Sequence, residues 1–196
     1  MSQHSAYVNF RFKSLLDRLA SALCIVLLSP LLIAIVVLIR ITSPGPIFFR
    51  QERVGKDLAL FELYKFRTMT VDTNRQISQT NLTDPDVTAM GKWLRRFKLD
   101  ELPQLVNVLA GHMSFVGPRP CLPFLIDLLD DIGKRRFLVK PGLTGLAQVN
   151  GNIYIDVKKR VELDVQYVES VSLYKDFSII LKTVLVVVLG EHRFAS

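Results

Sequence analysis

The sequence predicts an α+β protein. A re-entrant membrane helix-break-helix precedes a compact, mainly helical domain with a short β-hairpin or small sheet and interfacial amphipathic helices. Three observations predict this. Residues 19–39 form a run of 21 residues without charge, interrupted near its midpoint by Ser29-Pro30. Two short strand-like runs rich in Phe and Leu flank a Gly55-Lys56-Asp57 turn. Further along, apolar residues recur at helical spacing in several segments punctuated by glycine and proline.

The chain has 196 residues, enough for one domain with a real core. Its net charge of +7 and pI of about 9.6 suit anionic partners. The mean hydropathy of +0.29 comes largely from one segment and is unusual for a soluble nucleic-acid binder. Such a binder also calls for basic residues interleaved with exposed aromatics, whereas the aromatics here sit in apolar patterns; no nucleic-acid partner is expected. Cys24 and Cys121 lie in unrelated contexts, which argues against a structural disulfide, and no Cys/His spacing suits zinc.

Residues 1–14 read as a polar segment. The uncharged run that follows would reach about 31 Å as a straight helix, enough to cross a bilayer core. It is longer than a signal-peptide core and is followed by Arg40 rather than a small-residue cleavage pattern. Proline removes one helical hydrogen bond, and the hydroxyl of Ser29 can take up the freed carbonyl. A kinked spanning helix would satisfy these facts, but the flanking charges favour a return. Arg11, Lys13 and Arg18 precede the run; Arg40, Arg50, Arg53 and Lys56 follow it. The positive-inside tendency places both flanks on the cytoplasmic side, so the element over 15–40 is expected to enter, break and return. Residues 41–196 then form a cytoplasmic domain.

Ser43-Pro44-Gly45-Pro46 is a turn, followed by the hairpin. In its second strand Lys65 and Arg67 share a face by period two, either a solvated face or one directed at a phosphate. Residues 70–86 are polar and read as a loop. Residues 88–97 form a helix with Met90, Leu94 and Phe97 as an apolar stripe. Residues 124–132 alternate Leu, Ile and Phe with three aspartates as an amphipathic helix, either core or membrane-surface. The PGLTGLAQVNG stretch holds glycine turns around a short strand. Residues 177–189, apolar apart from Lys182, suit a buried or interface-lying helix.

The chemistry centres on KLDELPQL. Asp100 and Glu101 precede Pro103 and a short helical pattern over 104–110 that stops at Gly111. Asp100 is an N-cap candidate there, so a polarised helix terminus sits beside Lys92, Arg95, Arg96 and Lys98. Such a basic ring would lower the pKa of Asp100 and keep it ionised. Pro118-Arg119-Pro120 fixes an arginine whose fork matches phosphate oxygens. Taken alone, an acidic pair before a helix is more often ordinary capping. Gln148 and Asn150 are hydrogen-bonding candidates for nucleotide or sugar, with local structural contacts as the equal alternative.

SPGPIFFRQERVG, YKFRTM, DPDVT, KLDELPQLVNVLAG, MSFVGPRP, KPGLTGLAQVNG and YVESVSLYKD occur here in one order. Over residues 15–182 the chain resembles a monotopic phosphoglycosyl transferase of the bacterial sugar transferase family, of the small type. The resemblance implies transfer of a sugar 1-phosphate from a UDP-sugar to polyprenyl phosphate, with release of UMP. It implies Asp100 as nucleophile, forming an aspartyl phosphosugar, and Glu101 as its partner, in metal ligation or acid–base help. Magnesium at Asp100 and Glu101 is the implied cofactor. Arg95, Arg119, Arg67 and Lys65 are candidates for the phosphates. UDP-sugar, polyprenyl phosphate and membrane lipids are the expected partners, with a homodimer left open, at the cytoplasmic face of the bacterial inner membrane. Two departures stand out: His112 where members commonly carry an acid, and Asn152 where many carry Arg. A scaffold that had kept only the fold would tolerate loss of the acidic pair or of the prolines around Arg119, and all are present.

Overall fold

A computed structural model describes residues 3–70 and 84–195. The centre of the stretch read as a loop, 71–83, lies outside the described residues. α1 runs Gln3–Thr42, 40 residues with Pro30 inside it. Residues 3–14, read as a separate polar segment, are therefore its first turns. Ser29-Pro30 does not interrupt the helical assignment, a correction to the expected helix-break-helix. The reason is local: Ser29 Oγ donates to Val26 O at 2.8 Å, the carbonyl that Pro30 leaves without its usual N–H.

β1 (Phe48–Val54) and β2 (Leu60–Phe66) form the expected antiparallel hairpin, with Phe49 opposite Lys65. α2 (Ala89–Arg96) is capped by Thr88, whose hydroxyl accepts from Gly91 N at 2.9 Å. Gly91 lets α2 lie directly on the chain after β2, since a Cβ there would stand 2.0 Å from Thr68 O. Leu94 is fully buried, but Phe97, expected on the inner stripe, faces outward beside Trp93. α3 (Gln104–Ala110) ends at Gly111 with φ 87°.

β3 (Ser114–Val116) pairs in parallel with β4 (Gly142–Thr144), Ser114 opposite Gly142. The expected 124–132 helix is instead a 3₁₀ segment, Pro123–Leu128, and a short helix α4 (Asp131–Lys134). Asp130 divides them: its carboxylate caps α4 by accepting from Gly133 N at 2.7 Å. α5 spans Val157–Glu169 and α6 spans Leu173–Leu189, four residues earlier than the apolar pattern, because Ser172 caps it.

Val116, Val139, Val149, Tyr167, Ile179 and Val186 form one core; Ile35, Ile39, Phe66 and Leu94 form another. α1 docks at two stations on the same domain. Asp17 accepts from Ser114 Oγ at 2.7 Å, and Ser21 Oγ donates to Leu105 O at 2.7 Å. Ile35 and Ile39 pack on β2 and α2 fourteen to twenty-two residues further on, about 21–33 Å of helix. Lys13 adds an ion pair to Asp176 at 2.6 Å. The opposite side of α1 exposes Leu19, Leu23, Val26, Leu27, Ile33 and Ile41, and the outer face of α6 is equally apolar. By length and composition, the residues Arg11–Thr42 could cross a membrane.

Candidate active site

Lys98 adopts the left-handed conformation (φ 57°) and starts a 3₁₀ turn, Leu99–Glu101, that carries both acids. Leu99 and Leu102 pack on the Ile35–Phe66–Leu94 core, which leaves Asp100 and Glu101 to turn the other way. Asp100 is therefore not the N-cap of α3, contrary to expectation. That position falls to Pro103, which has no side-chain cap. α3 itself is fastened to the hairpin: Asn107 donates to Glu62 O at 2.7 Å and accepts from Tyr64 N at 3.2 Å.

Lys65, one residue before the end of β2, donates to Glu101 Oε1 at 2.7 Å. Arg119 Nη2 reaches the same oxygen at 2.8 Å. The Arg119 backbone is held in an unusual way. Two prolines deprive the triplet of all N–H groups but one, so anchoring falls to its carbonyls, and all three are bonded. Pro118 O accepts from Gly142 N at 2.9 Å, Arg119 O from Arg136 Nη2 at 2.7 Å, and Pro120 O from Arg53 Nη1 at 3.2 Å. Arg136 is in turn paired with Asp164 at 2.8 Å. On the far side, Lys98 Nζ meets Glu191 Oε1 at 2.7 Å, and Asn152 Nδ2 donates to that oxygen at 3.0 Å.

Asp100 is buried (8% exposed) and makes no side-chain hydrogen bond among the described residues. Burial and the neighbouring Glu101 push its carboxyl above the ordinary range, outweighing Lys65, Lys98 and Arg95. The expected lowering is thus corrected: the basic ring exists, but desolvation exceeds it. Burial acts the same way on Glu101, yet Arg119, Lys65 and Lys98 together hold it well below the usual range. Arg119 is raised by Glu101, and Arg53 is lowered to about 10 by burial and by Arg119. The acidic pair therefore divides into a firmly ionised, clamped Glu101 and an Asp100 that has no hydrogen-bond partner among the described residues and is harder to ionise.

The structure brings together Asp100, Glu101, Lys65, Arg119 and, through its electrostatic reach to Asp100, Arg95, whose Nε also donates to Thr68 Oγ1 at 2.8 Å. Arg67 is directed elsewhere: its guanidinium donates to Ser43 O and Pro44 O, both at 2.7 Å, and secures the turn after α1. Gln148 donates to Leu143 O at 2.9 Å; Asn150 bridges Leu146 O and Lys182 Nζ, each at 2.7 Å. These are the local structural contacts weighed for them. Glu191, Arg53, Arg136 and Asp164 carry no sequence signal tying them to the acids. Only the fold brings them there.

Among the described residues no group of three His, Cys, Asp or Glu side chains converges as a metal cage. Magnesium does not need one, since it commonly takes one or two carboxylates and completes its shell with water and substrate phosphates. The hard oxygens of Asp100 and of Glu101, whose Oε1 is already bonded twice, fit that habit.

The family model for bacterial sugar transferases matches residues 8–190. The chain belongs to the bacterial sugar transferase family. It is 41% identical over 90% of its length to a UDP-glucose:undecaprenyl-phosphate glucose-1-phosphate transferase of Klebsiella pneumoniae, but covers 40% of that protein. A UDP-N-acetylgalactosamine-undecaprenyl-phosphate N-acetylgalactosaminephosphotransferase of Aeromonas hydrophila is 39% identical over 89% of the chain, which covers 43% of it. Among relatives of similar size, the exopolysaccharide production protein ExoY of Rhizobium meliloti is 35% identical, with 91% of this chain and 86% of that one aligned. The chain thus spans about two fifths of the sugar phosphotransferases it matches and most of a shorter family member. All the motifs that surround the acids lie within the matched residues.

Proposed function

We propose that this sugar transferase family member moves a sugar 1-phosphate from a UDP-sugar to polyprenyl phosphate, undecaprenyl phosphate by analogy with its relatives. The step would open lipid-linked glycan assembly at the cytoplasmic face of the bacterial inner membrane. The observation that carries this is the contrast within the acidic pair: Glu101 is locked by Lys65 and Arg119, while Asp100 is buried, adjacent to them and without a hydrogen-bond partner among the described residues. An oxygen of Asp100 attacks the phosphorus attached to the sugar, and the bond from that phosphorus to the bridging oxygen breaks, releasing UMP. An oxygen of polyprenyl phosphate then attacks the same phosphorus, and the Asp100 carboxylate leaves. Arg119, with its backbone fixed through three carbonyls, and Lys65 meet charge on the transferring phosphoryl group. Magnesium bound at Asp100 and Glu101 would offset the charge of the diphosphate and of departing UMP.

The docking of α1 supports a re-entrant element. A helix crossing along the bilayer normal would touch a domain on one side over one stretch only, whereas the apolar run of α1 touches this domain both at Ser21 and at Ile35 and Ile39. Both contacts keep the element on the domain's side of the membrane, with its apolar outer face toward lipid. The test of the reaction is covalent labelling with magnesium and radiolabelled UDP-sugars, without lipid acceptor. Wild type is expected to retain label after denaturation and to lose it on addition of polyprenyl phosphate. Asp100→Asn is expected to take none. Equal label on Asp100→Asn would overturn the assignment of the nucleophile.

A further inference from the structure

We infer that Glu191, delivered by the turn after α6, is a positioning residue that holds Lys98 away from Asp100 and fixes the start of the acidic turn. The inference rests on Asp100 being the nucleophile. Lys98 precedes the turn in a left-handed conformation, and its carbonyl accepts from Glu101 N at 3.3 Å, so its backbone is the first link of the turn. Its ammonium lies within electrostatic reach of Asp100 and Glu101. The ion pair it makes is nevertheless with Glu191, at 2.7 Å.

Glu191 is itself held firmly. Gly190, with φ 97°, turns the chain back from α6. Asn152, left-handed and buried, donates to the same carboxylate oxygen from the opposite side. The segment packs so closely that a Cβ at Gly151 would stand 2.8 Å from the Ala195 Cα. The Glu191 side chain is only 13% exposed, so its end of the pair is shielded from water, while the Lys98 side chain stays 37% exposed. A lysine side chain released from this anchor has a flexible stem and two carboxylates within reach. Pairing with Asp100 would quench the attacking oxygen, and a loosened Lys98 would let the turn shift. Either change slows the first chemical step without removing a contact to the sugar nucleotide.

The test measures the single-turnover rate of covalent labelling and the UDP-sugar concentration for half-maximal rate in Glu191→Gln, Glu191→Ala, Glu191→Asp, Lys98→Ala and the Lys98→Ala/Glu191→Ala double variant. Glu191→Gln and Glu191→Ala are expected to label about tenfold or more slowly, with half-saturation within about twofold of wild type. Glu191→Asp should recover most of the rate. In the Lys98→Ala background the loss of Glu191 should add little, because the cation it restrains is gone. A rise in half-saturation with an unchanged rate would make Glu191 a substrate contact and overturn the inference. So would rate losses that multiply in the double variant, or wild-type rates in Glu191→Gln. Label persisting on Asp100→Asn would instead refute the nucleophile, an outcome separable from all of these. If Glu191→Ala unfolds, the Gln and Asp variants carry the comparison.

Discussion

Asp164 offers a test in which burial and ion pairing oppose each other. It is 3% exposed and pairs with Arg136 at 2.8 Å, yet burial, the larger effect, raises its pKa from 3.8 to about 6 against Arg136 and Arg160. The native state then keeps a proton between about pH 4 and pH 6 that the unfolded chain has released. Stability therefore falls as pH rises through that window and is flat above it. A shift of about two units corresponds to roughly 3 kcal/mol. For a chain of this size that is on the order of 6–12 °C in Tm. Asparagine mimics the protonated acid at every pH. Asp164→Asn should match wild type near pH 4 and melt about 6–12 °C higher above pH 6.5, in thermal unfolding of the purified protein followed by intrinsic fluorescence. Activity should fall, because Arg136 also holds Arg119 O and loses its counter-charge. A variant that melts lower than wild type at pH 7 would refute the reasoning, since the ion pair would then outweigh burial.

Two further outcomes follow from the same geometry. Gly117→Ala would place a Cβ 2.3 Å from Lys140 O, a backbone atom that cannot yield, so β3–β4 pairing and the position of Arg119 should both suffer. We expect loss of labelling together with a lower Tm; wild-type labelling would show that the triplet does not depend on that approach. For α1, a cysteine introduced at Gln3 should resist a membrane-impermeant thiol reagent applied to intact spheroplasts and react after lysis, in a Cys24→Ser background. Reaction before lysis would establish a spanning helix and refute the re-entrant arrangement.

The elements that sequence reasoning located best are those whose signals are local. The β1–β2 hairpin and its turn, α3 with its Gly111 stop, and the Ser29 hydroxyl that takes up the Val26 carbonyl all follow from residues within a few positions of each other. What escaped depends on contacts between distant residues. Period two put Lys65 and Arg67 on one side of a strand, but β2 ends at Phe66, and Arg67, just beyond it, is drawn away from the acids by the turn at Ser43-Pro44. The count of nearby cations suggested an easily ionised Asp100, because a sequence displays charge and conceals burial. Glu191 lies 93 positions from Lys98 and within no shared motif, so nothing short of the folded chain relates them. Asp130, one of three acids on a regular apolar pattern, split an expected helix by capping its second part.

The double attachment of α1 makes it a beam and not a tether. A tethered domain swivels about its anchor; here Lys13, Asp17 and Ser21 grip α1 at one station and Ile35 and Ile39 at another. One of those grips is the Ser21 bond to the Leu105 carbonyl, four residues after Glu101. In the re-entrant arrangement proposed above, thinning, thickening or lateral pressure in the bilayer would act, through that bond and the packing of α1 on α3, on the helix that adjoins the acidic pair.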